Sequence, residues 1–466
     1  MTDISDIANP NVNPNVNMNV NPSGSSYPTG MNSLPNQAGV TYGKASAADY
    51  DELIDFANLV FSQAHSNTDF TELLPKLYKR NRFVPESHYI VKENGRIKAL
   101  VGAYPIIYNV CGEPLKVFSI GIVCVHPYTR SKGYMKLLMN EAMRDMKAAG
   151  MDLGELGGLR QRYEYFGFTK CGTELTFTCN ETNFRHRFHG TYPSGLSFAE
   201  IAPGDRATLD AVAGMYARKP AHAERHADML HDILISWKGK AYAIMRSGEM
   251  IGYMSAQLNR GVIQEIYMPD ASLLVEALGV FISQFKIKDL HVVLPPYEAE
   301  LARRLVGFAE ETEIETDGNF NALNYPNVLR AFVKLKCAAL SESCASALLD
   351  CCAPALPDCC TPALPDGCSQ AMPDICAPAL PDGKLTVRIL AANADGADCN
   401  VTISVSGGKV DVRETGETPD YTFSHLEAMQ FFFNPLSAHA YGPLASDAFT
   451  RALLPLPLNI DHNDTA

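Results

Sequence analysis

SIGIVCVHP, Ser119 to Pro127, running on through YTRSKGYM, Tyr128 to Met135, decides the fold. An apolar strand leads into a turn that holds a cation and a glycine, and a helix begins at once. Met135, Leu138, Met139, Ala142, Met143 and Met146 recur at helical spacing, and Gly150 stands where the helix should stop. The N–H groups of Arg130, Ser131, Lys132, Gly133, Tyr134 and Met135 therefore converge where the helix dipole is positive, which makes an anion cradle. Gly133 lets a phosphate come close to the backbone, and Arg130 and Lys132 add charge. Taken alone, the stretch also reads as an ordinary strand, turn and helix with incidental basic residues.

Downstream, Met151 to Leu156 reads as a short strand. Gly157-Gly158 and then Tyr163-Glu164-Tyr165-Phe166-Gly167-Phe168 follow. Upstream, a short strand from Thr41 precedes a helix over Ala47 to Ala64, with Leu53, Phe56, Ala57, Val60 and Phe61 on one face. A second helical piece covers Phe70 to Lys79. Three antiparallel strands come next, Tyr89 to Lys92, Ile97 to Val110 and Leu115 to Val125, joined by Gly-containing turns. The fold class is mixed α/β.

At 466 residues the chain is too long for one core, and 46 % hydrophobic residues leave ample material for burial. A net charge of −13 argues against nucleic acid and anionic membranes as partners and favours cationic acceptors. With no membrane-length apolar run and no secretory signal pattern, a cytoplasmic protein is expected, its 13 cysteines mostly reduced thiols.

Residues 1–39 carry NPNV repeats and read as a disordered tail. Between 185 and 336 the pattern is mixed α/β again: helices near Asp205 to Ala217, His222 to Ile235 and Ala271 to Phe285, and strands within Tyr242 to Met268, without a second Arg-x-x-Gly turn. Residues 337–383 hold eight of the cysteines and four units of the CCAPALPD type, which read as a flexible insertion. The paired cysteines lack the Cys-x-x-Cys spacing of a structural zinc site, so no metal is expected. Strands resume over Leu385 to Leu390 and Val401 to Val412, with helices near Ser424 to Phe433 and Pro443 to Leu453.

The Arg130-x-x-Gly133 turn after its strand resembles the acetyl-CoA loop of GNAT acetyltransferases, and Met135 in place of a small residue is similar to the Eis-like (enhanced intracellular survival) branch. Tyr-x-x-Phe-Gly-Phe, Tyr163 to Phe168, resembles the second motif of that branch. The resemblance implies tandem GNAT-like domains, 40–184 with the cofactor site and 185–336 without one, followed by a sterol-carrier-protein-like α+β domain over 384–466. It implies that two parallel strands, ending at Val125 and Leu156, splay to admit the pantetheine arm. It also implies acetyl-CoA as co-substrate and a homo-oligomer, often a hexamer in the family.

Acetyl transfer to an amine needs a neutral nitrogen, a donor for the developing oxyanion and an acid for the leaving thiolate. The strand residues Ile122, Val123, Cys124 and Val125 are expected to pair with the pantetheine arm, with N–H groups near Val123 and Cys124 as oxyanion donors. Tyr163, placed like the family's catalytic tyrosine, is the candidate acid, and Tyr165 is the fallback.

For the base, the resemblance implies the carboxylate of the last residue, here Ala466 where the family has an aromatic. Glu155 is a second candidate, acting through water, although it reads more readily as an exposed strand-end carboxylate. His126 reads as a corner that caps its turn, and Cys124 as a packing thiol. Asp49, Asp51, Glu52 and Asp55 suit a helix start and offer a lining for a channel that takes cations.

The expected activity is N-acetyl transfer to a primary amine: an aminoglycoside-like polyamine, a small amine or a lysine. The alternative is a non-catalytic lipid or small-molecule binding protein with a relic acetyltransferase domain.

Overall fold

The computed structural model describes residues 39–64, 68–192, 195–351, 380–391, 397–445 and 447–466, with backbone alone for 341–351. The expected N-terminal tail and most of the Cys/Pro repeat lie outside them. Three sheets organise the described residues. In chain order the strands of the first half are β1 (Val40–Lys44), β2 (His88–Glu93), β3 (Arg96–Val110), β4 (Glu113–Val125), β5 (Leu153–Leu156), β6 (Thr169–Cys171) and β7 (Glu174–Asn180). Next come β8 (Leu196–Glu200), β9 (Ala221–Ala223), β10 (Lys240–Arg246), β11 (Glu249–Gln257), β12 (Val262–Tyr267), β13 (Asp289–Leu294), β14 (Glu311–Glu315) and β15 (Gly318–Ala322). The third sheet has β16 (Gly383–Leu390), β17 (Cys399–Ser406), β18 (Lys409–Glu414) and β19 (Tyr421–Ser424).

The first sheet runs β1-β2-β3-β4-β5-β15-β6, and the second β8-β10-β11-β12-β13-β7-β14. Each has one parallel contact at the same place, β4 with β5 and β12 with β13, and each puts a helix between those two strands, Tyr134–Ala148 or Leu274–Phe285. The two sheets are thus one topology used twice, with a strand exchanged. β7 follows the first sheet in sequence but pairs in the second, and β15 returns to fill the gap between β5 and β6.

Two elements differ from the sequence reading. The segment expected as one helix from His222 to Ile235 begins instead with β9, which adds to the far end of β3, and only Leu230–Leu234 is helical. The helix Tyr325–Cys351 runs on into the segment read as the start of the repeat insertion. Among the described residues no helix is long and apolar enough to cross a membrane.

The helix Tyr134–Ala148 buries Leu137, Leu138, Met139, Ala142, Met143 and Met146 against one face of the first sheet. On the other face, Leu53, Phe56, Ala57 and Val60 of the helix Tyr50–Phe61 meet Leu100, Ile122 and Cys124. The far half of the first sheet shares a core with the helix Tyr325–Cys351 and the third sheet. After the last helix, Leu454, Leu456, Leu458 and Ile460 bury themselves in that core. The chain then passes between the first two sheets and ends on β4.

Candidate active site

The β4–β5 ladder pairs Val117 to Ile120 with Leu153 to Leu156 and stops there, while β4 continues to Val125. From Gly121 to Val125, β4 therefore has no β5 neighbour. At the same point Ile122 has a φ of +52°, a left-handed conformation that a β-branched residue rarely adopts. The register against β3 shifts between Leu100 and Gly102. This is a β-bulge, and it sends Ile122 and Cys124 to one core and Val123 and Val125 to the other.

Beyond β4, His126 behaves as the corner expected of it. Its Nδ1 accepts the Tyr128 N–H at 3.3 Å, and its ring stacks on Phe56. The turn Arg130 to Gly133 is exposed, and the helix starts on Gly133 with a φ of +79° and no side-chain cap. A Cβ built on Gly133 meets nothing within 4 Å, so its main chain can be approached closely, as a diphosphate requires. Lys132 serves differently from its expected role. Its ammonium lies 2.7 Å from Glu93, which also accepts the Tyr134 hydroxyl, and its main-chain N–H donates to the Thr129 carbonyl at 3.4 Å. In the second sheet the equivalent helix start is closed, because Asp270 accepts the Ser272 N–H at 3.0 Å and no glycine turn precedes it.

Tyr163 ends the short helix Arg160–Tyr163 and is buried with Val123, Val125 and Phe166. Burial pushes its phenol up to about 12, with Arg162 opposing. The Gly167 turn behind it, at a φ of +88°, is pinned from a distance. Asn321 of β15 donates to the Phe166 carbonyl at 2.9 Å, and His425 Nε2 donates to that of Gly167 at 2.9 Å. Tyr165 is half exposed under the Lys136 ammonium, whereas Tyr163 is buried in the core with Val123 and Val125 of β4.

The reading of Glu155 as an exposed strand-end carboxylate is overturned. β15 pairs against β5 and covers it, so Glu155 is buried. Desolvation raises its carboxyl to about 7, with Ser119, Lys76 and Lys170 lowering it. Ser119 Oγ donates to Glu155 Oε2 at 2.6 Å and accepts the Ala466 N–H at 2.8 Å. Ala466 thus lies where the β4–β5 ladder ends, against Gly121.

The terminal segment is held there by buried charge that sequence reasoning missed. Lys219 pairs with Asp461 at 3.0 Å, and Arg225 bridges Glu265 and Asp464 at 2.8 Å to each. Asn463 and Tyr216 add bonds to Glu265 and Asp464, at 3.0 and 2.7 Å. Trp237, itself at a φ of +60°, stacks on His462 at 4.5 Å and donates to its carbonyl at 3.0 Å. Lys76 donates to the carbonyls of Asn463 and Thr465. The one sequence signal for Ser119 was a lone hydroxyl in an otherwise apolar strand.

Cys124 is a packing thiol whose pKa burial raises. Three carboxylates of the acidic helix start have partners. Asp49 is bonded by Lys92, Asp51 by Arg80, and Glu52 accepts the Ile97 N–H and faces Arg96.

Known structures share this architecture. A probable N-acyltransferase from Enterococcus faecalis superposes with a TM-score of 0.59 at 14 % identity, over 91 % of this chain and 99 % of that one. A GCN5-related N-acetyltransferase from Anabaena variabilis gives 0.60 at 11 %, over 91 % and 98 %. Eis1 from Mycobacterium abscessus gives 0.52 at 12 %, over 92 % and 100 %. At such identities the likeness concerns the fold. No curated protein matches the sequence significantly. The family described as an acetyltransferase (GNAT) domain matches residues 41–171, so the stretch from β1 to β6, with its glycine turn, carries a GNAT acetyltransferase domain.

Proposed function

We propose that the protein is an N-acetyltransferase that moves an acetyl group from acetyl-CoA to a primary amine by direct attack. The observation that carries this reading is the end of the β4–β5 ladder at Ile120 and Leu156, with an uncapped glycine turn one strand-length beyond it. In this reading the main-chain N–H groups of Gly133, Tyr134 and Met135 hold the diphosphate, Arg130, Ser131 and Lys132 border it, and Ile122 to Val125 offer their free edge to the pantetheine arm. Bound acetyl-CoA supplies an activated thioester.

The N–H groups near Val123 and Cys124 then lie where charge develops on the carbonyl oxygen. Tyr163 is the acid: with its pKa pushed up to about 12, the phenol holds its proton at neutral pH until a departing thiolate needs it. Glu155, joined through Ser119 to Ala466, is the base. A carboxyl near 7 is partly ionised at neutral pH and able to take the proton an amine must lose. We read 384–466 as a sterol-carrier-protein-like unit with a structural part in this site, because its helix His425–Phe433 pins the Tyr163–Gly167 turn.

The test is acetyl-CoA consumption across a panel of polyamines, aminoglycosides and lysine peptides, with calorimetry of acetyl-CoA binding. Turnover with at least one amine, and saturable binding lost in Gly133→Asp, is the expected result. Absence of acetyl-CoA binding would remove the reading and leave the first sheet a relic.

A further inference from the structure

We propose that Lys76 is a positioning residue: its buried ammonium, bonded to the carbonyls of Asn463 and Thr465, holds the segment Asp461 to Ala466 so that Ala466 stays on Ser119 and Gly121. The chain forms a single helical turn there, with Asp464 N–H donating to the Asp461 carbonyl at 2.8 Å and Thr465 N–H to that of His462 at 3.3 Å. A turn this short leaves its last carbonyls without partners, and two of them point the same way. A cation at that end satisfies both and complements the turn's dipole.

Lys76 is only 4 % exposed, so it has exchanged its hydration for these two carbonyls. The other cations around the segment are matched differently. Lys219 and Arg225 bond carboxylates, whereas the bonds Lys76 makes here are to main chain. Main-chain contacts recognise the path of the segment rather than its side chains, which is what holding a terminus in one place needs. Lys76 itself is set by Pro75 at the first turn of the helix Pro75–Tyr78, where Tyr78 reaches Tyr104 in the core beside Ile122. The clamp and the bulge thus share one rigid support.

The kinetic arm of the test rests on the transferase reading, and the structural arms do not. Trp237 is the chain's single tryptophan and stacks on His462, so its emission reports whether the segment is in place. In Lys76→Met we expect a shifted Trp237 emission and faster amide exchange over 463–466. We also expect kcat to fall about tenfold or more, with the acetyl-CoA KM within about twofold. Lys76→Gln, which keeps donors, should fall between wild type and Lys76→Met in every readout. Circular dichroism of each variant separates a displaced segment from a lost fold, and Lys76→Gln serves if Lys76→Met does not fold.

Unchanged emission and exchange in a folded Lys76→Met would overturn the proposal. So would an undiminished kcat once the segment had come loose. If wild type turns over no amine, the transferase reading fails, and the exchange and emission data still decide whether Lys76 holds the segment.

Discussion

Ala466 packs so closely on Gly121 that a Cβ on Gly121 would fall 2.8 Å from its carbonyl carbon and from its methyl. One of those atoms is main chain and cannot swing aside, so Gly121→Ala must displace the terminus. We expect kcat to drop about tenfold or more while acetyl-CoA affinity, measured calorimetrically, stays within about twofold. Full activity in this variant would show that the place of Ala466 is immaterial.

Tyr163→Phe separates chemistry from packing. Among the described residues the phenol makes no hydrogen bond, so its loss should leave the thermal midpoint within about 2 °C of wild type. Turnover should fall on the order of a hundredfold if this group is the acid. Stopped-assay rates beside melting curves give both numbers, and an unchanged rate would pass the role to another donor.

Burial of Glu155 makes stability depend on pH in a definite direction. Unfolded, the carboxyl titrates near its ordinary value of 4.5; folded, near 7. Between those values the native protein keeps a proton that the unfolded chain has lost. The contribution is therefore full below about 4.5 and declines as pH rises to about 7, by on the order of 3 kcal/mol. Lys76 acts oppositely above that range. Its ammonium is lowered from 10.5 to about 7 by burial, so its cost is complete below about 7 and fades toward 10.5. Melting curves across pH 5 to 7 should show a smaller decline in Glu155→Gln than in wild type, and the acid limb of the rate profile should vanish with it.

Arg225 is the cation between two buried carboxylates, and it holds Glu265 well down, to about 2. Arg225→Met leaves Glu265 and Asp464 without it, which should cost about 3–5 kcal/mol in urea unfolding. The Glu265→Gln partner change should recover part of the loss in a double variant. A loss under about 1 kcal/mol would mean that the network is screened by water.

The strand, glycine turn and helix at 119–148 were legible because each depends on local chemistry: apolar runs, Gly133 at positive φ, a periodic apolar face. The turn at Gly167 behind Tyr163 was legible for the same reason. Glu155 was misread because the strand that buries it, β15, lies more than 150 residues later, and no local pattern announces that pairing. The terminal DHNDTA shows no apolar pattern that would announce burial. It is buried because Lys219, Arg225 and Lys76, all distant in sequence, converge on it. The His222 segment failed as a helix because β3 offers a free edge at Tyr108 to Val110, which captured Ala221 to Ala223 as a strand.

The exchange of β7 and β15 has a consequence for how the protein comes into being. A nascent chain that has emerged only as far as Asn180 holds β5 and β6 but lacks the strand that joins them, and it carries β7 with no partner. The first sheet waits on the translation of Ala322 before it can close. Splitting the gene between its two topological copies would leave both halves with open edges prone to aggregate.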